Sequence, residues 1–193
     1  PHITQAIIFS ENEELVPQNP KVTFLEKKNR VVFSDFLMAA VDPASVYVFA
    51  NADIKFSSGL NWLMYLPPAE LWALTRWEKN GQLWPAARES QDVWALRGRA
   101  WPDGLLRDCQ IQQGVPGCEN AFAGRLHEFG YKVKNYCHDI RCLHVHANTA
   151  RSYSEADRIP RPYFFPNPER LPLKYKLFEA FRSKIPFLDK KIP

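Results

Sequence analysis

Apolar residues in this chain come in short runs, most of them at strand spacing and a few at helical spacing. "HITQAIIFS" and "KVTFLE" are rich in β-branched and aromatic residues and predict two strands, separated by a polar loop through Pro20. Ser34 predicts the N-cap of a helix over "DFLMAAV", with Asp35 in its first turn. "VYVFANADI" predicts one strand, and "GLNWLMYL" a short helix stopped by Pro67 and Pro68. "LWALTRWE" and "DVWALRG" predict strands on either side of the loop "KNGQLWPAARES". In "ENAFAGRLHEFG", Ala121, Phe122, Arg125, Leu126 and Phe129 recur at helical spacing before Gly130. "YKVKN" and "IRCLHVHA" alternate again as strands.

Strands alternating with helices predict an α/β domain over residues 1–153, a mixed sheet flanked by helices. The composition changes after Tyr153. Residues 154–193 hold seven of the sixteen prolines and many basic residues, and predict a Pro-rich extension packed on the domain or following it. Within it, "LKYKLFEAFRSK" reads as a basic amphipathic helix, expected to pack on the surface, with membrane binding as its alternative.

The 193 residues are 46% hydrophobic, enough for one sizeable core. Net charge is +4, which suits a phosphate-bearing ligand but does not by itself predict nucleic-acid binding. No apolar run approaches the ~20 residues of a membrane span. The chain also lacks an Asn-x-Ser/Thr sequon, and a soluble cytoplasmic protein is expected. Cys109, Cys118, Cys137 and Cys142 lie near His127, His138, His144 and His146, but their spacings of 9, 19 and 5 match no common zinc module. Buried free thiols are expected instead.

Three segments carry candidate chemistry. Asn51-Ala52-Asp53 stands at a strand end, where a carboxylate needs a partner, water or a cation. "GVPGCENAFAGRLHEFGYKVKN" sets Glu119 at a helix start. In "CLHVHAN", His144 and His146 share one strand face. Each has a structural alternative: Asn and Asp end strands in turns, Glu119 favours a helix dipole, and a strand histidine satisfies hydrogen bonds. Arg30, Arg76 and Arg151 could each meet a phosphate or simply face solvent. Of the tryptophans, Trp94 is expected in the core, with Trp77 and Trp84 open between core and sugar stacking.

In this order the segments resemble nucleotide-sugar-dependent glycosyltransferases of the GT-A fold. "NADI" is similar to their D-x-D motif, and "PGCENAFAGRLHEFGYKV" with a later histidine is similar to their acid, helix, Gly-Tyr, strand and histidine pattern. "ALTRWE", "SQDVWALRG" and "GVPGCEN" look closer still to the small glycosyltransferase domains of chloroviruses, large algal viruses that glycosylate their own capsid protein. The resemblance covers roughly residues 30–153. It implies a GT-A-like sheet with a Rossmann-like nucleotide-binding core, and inverting transfer of a hexose from a UDP-sugar to a glycan or glycoprotein. If viral, the chain would work in the host cytoplasm. It also implies Mn2+ or Mg2+ on Asp53, with His144 or His146 as a further ligand, since hard cations at a diphosphate prefer oxygen and Mn2+ tolerates imidazole. Asn51 departs from the first Asp of the motif and would touch the ribose or a metal-bound water; Arg30 would meet the donor phosphate. Glu119 would be the general base, with Asp92 of "SQDVW" as its rival. The alternative is a carbohydrate- or protein-binding module without catalysis on the same scaffold. A nucleic-acid binder is the weakest reading.

Overall fold

The computed structural model describes residues 3–145 and 154–182. Its centre is a four-stranded mixed sheet in the order β3 (Val46–Ala50), β7 (Val93–Arg97), β5 (Glu70–Leu74), β8 (Lys132–Lys134). The first two pairings are antiparallel and β5–β8 is parallel. A second sheet orders β4 (Ile54–Ser58), β9 (Arg141–His144) and β6 (Arg76–Trp77). A parallel pair, β1 (Ala6–Ser10) with β2 (Val22–Glu26), stands apart from both. The architecture is thus α/β with mixed sheets.

The central sheet is apolar on both faces, and this explains why its strands read as continuous runs. On β7, Trp94 and Leu96 face one core while Val93 and Ala95 face the other. On β5, Leu71 and Ala73 join the first core, Trp72 and Leu74 the second. The first core also takes residues of α1 (Phe33–Ala39), α2 (Asp103–Asp108) and α3 (Cys118–Glu128). There Phe33 stacks on Phe122 at 4.3 Å and meets Trp94 edge-on at 4.9 Å. The second core is closed by Ile54 and Phe56 of β4, Cys142 of β9, the 3-10 turn Leu60–Tyr65, and Tyr175 of α4 (Leu173–Arg182). Fully burying side chains of this size contributes about 1.5–3 kcal/mol each.

Three local expectations need correction. Ser34 does not cap α1; the N-cap is Val32, and the carboxylate of Asp35 accepts its backbone N–H at 3.0 Å. Asp35 is also held by Lys27 at 2.7 Å, so the later acid does the capping. "VYVFANADI" is not one strand. A turn at Asn51, closed by the Ile54 N–H on the Asn51 carbonyl, moves the chain from β3 to β4 and hence between sheets. "LWALTRWE" breaks likewise at Thr75 between β5 and β6. The helix α2 was not foreseen, since six residues are too few to display a period.

The described part of the Pro-rich extension lies along α3. The Phe164 N–H donates to the Asn120 carbonyl, and the Ile159 N–H to that of Pro116. Gly124 permits the approach: a β-carbon there would stand 2.4 Å from the Pro162 carbonyl oxygen. Gly124→Ala is therefore expected to lower stability by about 1–3 kcal/mol, an overpacking cost. Urea unfolding measures that loss, and limited proteolysis should show earlier cleavage within residues 154–165. Wild-type behaviour in both would contradict this packing.

Candidate active site

The two sheets part along one line, and the candidate residues collect there. Ala50, Val93 and Leu74 form the last row of the central sheet. The next row is Asn51, Asp92 and Thr75: the Asn51 N–H donates to the Asp92 carbonyl, and the Asp92 N–H to the Leu74 carbonyl. The site therefore lies at the carboxyl ends of β3 and β5, where open α/β sheets commonly receive ligands. Thr75 is fixed by Asn135, whose amide donates to its hydroxyl at 2.9 Å and accepts its N–H at 3.2 Å.

Asp92 is the centre of the row and is buried. Its Oδ1 accepts from Asn51 Nδ2 at 3.0 Å and from Arg76 Nη1 at 3.3 Å, while Oδ2 is buried without a hydrogen-bond partner. Burial pushes its pKa up, opposed by the Arg76 charge. Asn51 is used at both ends, its Oδ1 accepting from Gln113 Nε2 at 2.7 Å. Arg76 also donates to Glu78 at 2.8 Å and lies over the Trp84 ring at 4.2 Å. Burial acts against its charge, but Asp92 and Glu78 outweigh that and raise its pKa.

Asp53 and His144 meet each other. Ile54 is paired with His144 between β4 and β9, which brings Asp53 Oδ2 to 2.9 Å from His144 Nε2. His144 Nδ1 stands 4.0 Å from Glu78 Oε2, so this pair joins the Arg76 network at its far end. These two residues form a carboxylate–imidazole pair bonded to each other, and a metal ion would have to part Oδ2 from Nε2 to take both atoms as ligands. Among the described residues, no group of three or more His, Cys, Asp and Glu is placed to hold a metal ion. A cation here would draw its remaining ligands from a bound diphosphate or water, a donor set compatible with Mn2+. His146, the other expected ligand, and Arg151 lie outside the described residues.

Glu119 sits in the first turn of α3, after Gly117, whose φ of 77° is of the left-handed kind glycine tolerates. Its pKa is pushed up to about 7, first by burial and further by the nearby Asp92 charge. It lines a cleft of about 860 Å³ together with Arg76, Trp84 and Ser90. The opposite wall belongs to the Pro-rich segment, through Arg158, Tyr163 and Phe165. Asp92 does not line this cleft; it lies behind Arg76.

The remaining candidates separate by position. Arg30 lies beside the Gly114 turn, its Nη1 3.7 Å from where a β-carbon on Gly114 would stand, next to Gln113. Trp94 is buried in the core, as expected, and Trp77 donates to the Cys137 carbonyl under Arg141, away from the cleft. Trp84 alone of the two open tryptophans reaches the cleft. The four cysteines are free and buried, and burial pushes the Cys109 and Cys137 thiols up to about 12. Sequence reasoning missed Glu78 and Gln113 and left Arg76 undecided. Arg76 and Gln113 act through Asp92 and Asn51, distant in sequence, and Glu78 gains its place only through Arg76, so no local pattern reveals them.

Glu119 gives a signed pH dependence. An acid whose folded pKa is raised binds more protons than in the unfolded chain, so stability falls as pH rises from the unfolded value of about 4.5 towards about 7. Glu119→Gln is expected to flatten that fall, read from urea midpoints at pH 5, 6 and 7; the raised Asp92 leaves a residual slope of the same sign. An unchanged slope would show that Glu119 is not held in this state.

Comparison of the chain with models of protein families, with curated proteins and with solved structures finds no match in any of the three.

Proposed function

We propose that this chain is a glycosyltransferase of the GT-A type. It moves a hexose from a UDP-sugar to a hydroxyl of a glycan or glycoprotein, with inversion, in the manner of the chlorovirus capsid-glycosylating domains. The observation that carries the reading is convergence. A carboxylate–imidazole pair meets an Arg–Asp link at one sheet end, and Arg76 of that link shares a cleft with Glu119, whose proton affinity is raised towards neutrality. A half-buried acid with its proton affinity raised towards neutrality beside a cleft favours catalysis over sugar binding alone.

Roles follow from position. Asp53 and His144 would hold a divalent ion, which supplies charge to the departing diphosphate. Arg30, beside the Gly114 turn, would meet a donor phosphate with its planar fork. Asn51 has both amide atoms committed to Asp92 and Gln113, so it would set the turn that aims Asp53. Glu119 would take the acceptor hydroxyl proton as that oxygen bonds to the anomeric carbon. The bond from carbon to phosphate oxygen breaks in the same step, and its electron pair leaves with the diphosphate. Trp84, Tyr163 and Phe165 would receive the acceptor sugar against aromatic surface. Asp92, behind Arg76, would act through its charge by keeping the Glu119 pKa high.

Calorimetric titration of UDP with Mn2+ tests the donor half. Binding is expected with the metal, is lost on adding a chelator, and falls at least about tenfold in Asp53→Ala, one charge-assisted contact being worth about 1.5–3 kcal/mol. No binding in any condition would overturn the UDP-sugar reading and favour a non-catalytic module. Glu119→Gln tests the chemical half. It should bind UDP as wild type does and transfer about 10²–10⁴-fold more slowly, the usual contribution of a general base. The wild-type rate should rise with pH through about 7, as Glu119 ionises. Transfer by Glu119→Gln at the wild-type rate would assign the base elsewhere.

A further inference from the structure

The helix α4 is fastened along one side and uncovered along the other. Its inner side is Tyr175, Lys176 and Glu179. Tyr175 meets Trp72 at 6.4 Å and Tyr65 at 5.9 Å, Lys176 donates to Asp139 at 2.9 Å, and Glu179 accepts from the Tyr65 hydroxyl. Asp139 also accepts the Leu171 N–H at 2.7 Å, which fixes the start of the helix. At 3.6 residues per turn, Leu173, Leu177, Phe178 and Phe181 fall on the opposite side. They are 67%, 60%, 55% and 62% exposed, Phe178 at the edge of the arc also meeting the Tyr65 ring edge-on at 5.6 Å. Four large apolar side chains on one outward arc exceed the scattered exposure of an ordinary surface.

Charge decides what covers this arc. Residues 170–193 contain seven of the 25 Lys and Arg residues and two of the 21 Asp and Glu. This stretch therefore carries +5 of sequence charge, and the rest of the chain −1 against a total of +4. Lys174 falls within the apolar arc itself, exposed, its Nζ 5.0 Å from the Tyr175 ring centre. A second copy would bring a like-charged stretch against this one, and a dry protein interface would bury the Lys174 ammonium at high cost. An anionic bilayer suits both features: apolar side chains enter the acyl boundary while lysines extend to the phosphate level.

We propose that α4 is an interfacial anchor that lays its Leu173–Leu177–Phe178–Phe181 side on an anionic lipid bilayer. The inference stands apart from the glycosyltransferase reading, since none of these residues lines the cleft.

Vesicle sedimentation with the full 193-residue chain tests it, comparing phosphatidylcholine vesicles with vesicles containing about 30% phosphatidylserine, a composition that raises the attraction of each Lys or Arg near the surface. Partition is expected to be at least about tenfold greater on the anionic vesicles and to fall with added salt, as screening shortens the reach of the charges. The doubly substituted Leu177→Glu, Phe181→Glu chain should lose about tenfold or more of that binding while keeping its melting temperature, because both side chains are exposed. Lys174→Glu, which leaves the apolar side chains in place, should weaken binding to the anionic vesicles alone. Absence of partition, equal partition on both vesicle types, or wild-type binding by the double variant would each overturn the proposal. A dimer in sedimentation velocity that the double variant dissolves would assign the arc to a second copy and overturn it too.

Discussion

The buried carboxylate of Asp92 is the constraint around which the rest is arranged. It immediately precedes a central strand that is covered on both faces, so water cannot compensate its charge, and an unpaired ion there would cost several kcal/mol. Arg76 answers it, and Arg76 is itself aimed by Glu78 and Trp84. The same carboxylate holds Asn51, which holds Gln113. One desolvated acid thus couples the turn carrying Asp53, the strand carrying Arg76 and the loop leading to Glu119. Its second oxygen has no partner, so the compensation is incomplete, and the excess field falls on Glu119.

The strands were legible because the central sheet is buried twice over. "LWAL" and "VWAL" contain no polar residue to disguise them, and their odd and even positions fill two different cores. What the pattern could not show was where a strand changes sheet. "VYVFANADI" keeps strand-like composition across Asn51, and only the hydrogen bond from Ile54 to the Asn51 carbonyl marks the break. Ser34 misled for a related reason. Ser and Asp both cap helices, and the choice fell to Asp35 because Lys27 stands within reach of its other oxygen.

The candidate site was legible to the extent that its residues sit at element ends. Asp53 follows a strand, Glu119 opens a helix and His144 closes a strand, and the sequence marks each of these positions. Arg76, Glu78 and Gln113 carry no such mark. Their significance comes from contacts across 16, 2 and 62 residues, with Asp92, Arg76 and Asn51 respectively. Trp84 differs again: composition offers six tryptophans, and only the fold separates the one at the cleft from those in the core.

The features that would make Glu119 useful also burden the fold. A base that works near neutrality needs a pKa near 7, and here that value comes from burial and from a like charge close by. Both disfavour the ionised native state, so the chemistry is drawn from folding stability. The cost is confined because Asp92 does not face the cleft: Arg76 screens it on one side and Asn51 fixes it on another. Replacing Asp92 by a neutral residue would relieve Glu119 but leave the half-buried Arg76 with Glu78 as its carboxylate partner. The wall supplied by the Pro-rich segment bears on Glu119 as well. By covering α3 it limits the water that reaches Glu119, so the extension helps to set the proton affinity of a residue more than thirty positions before it.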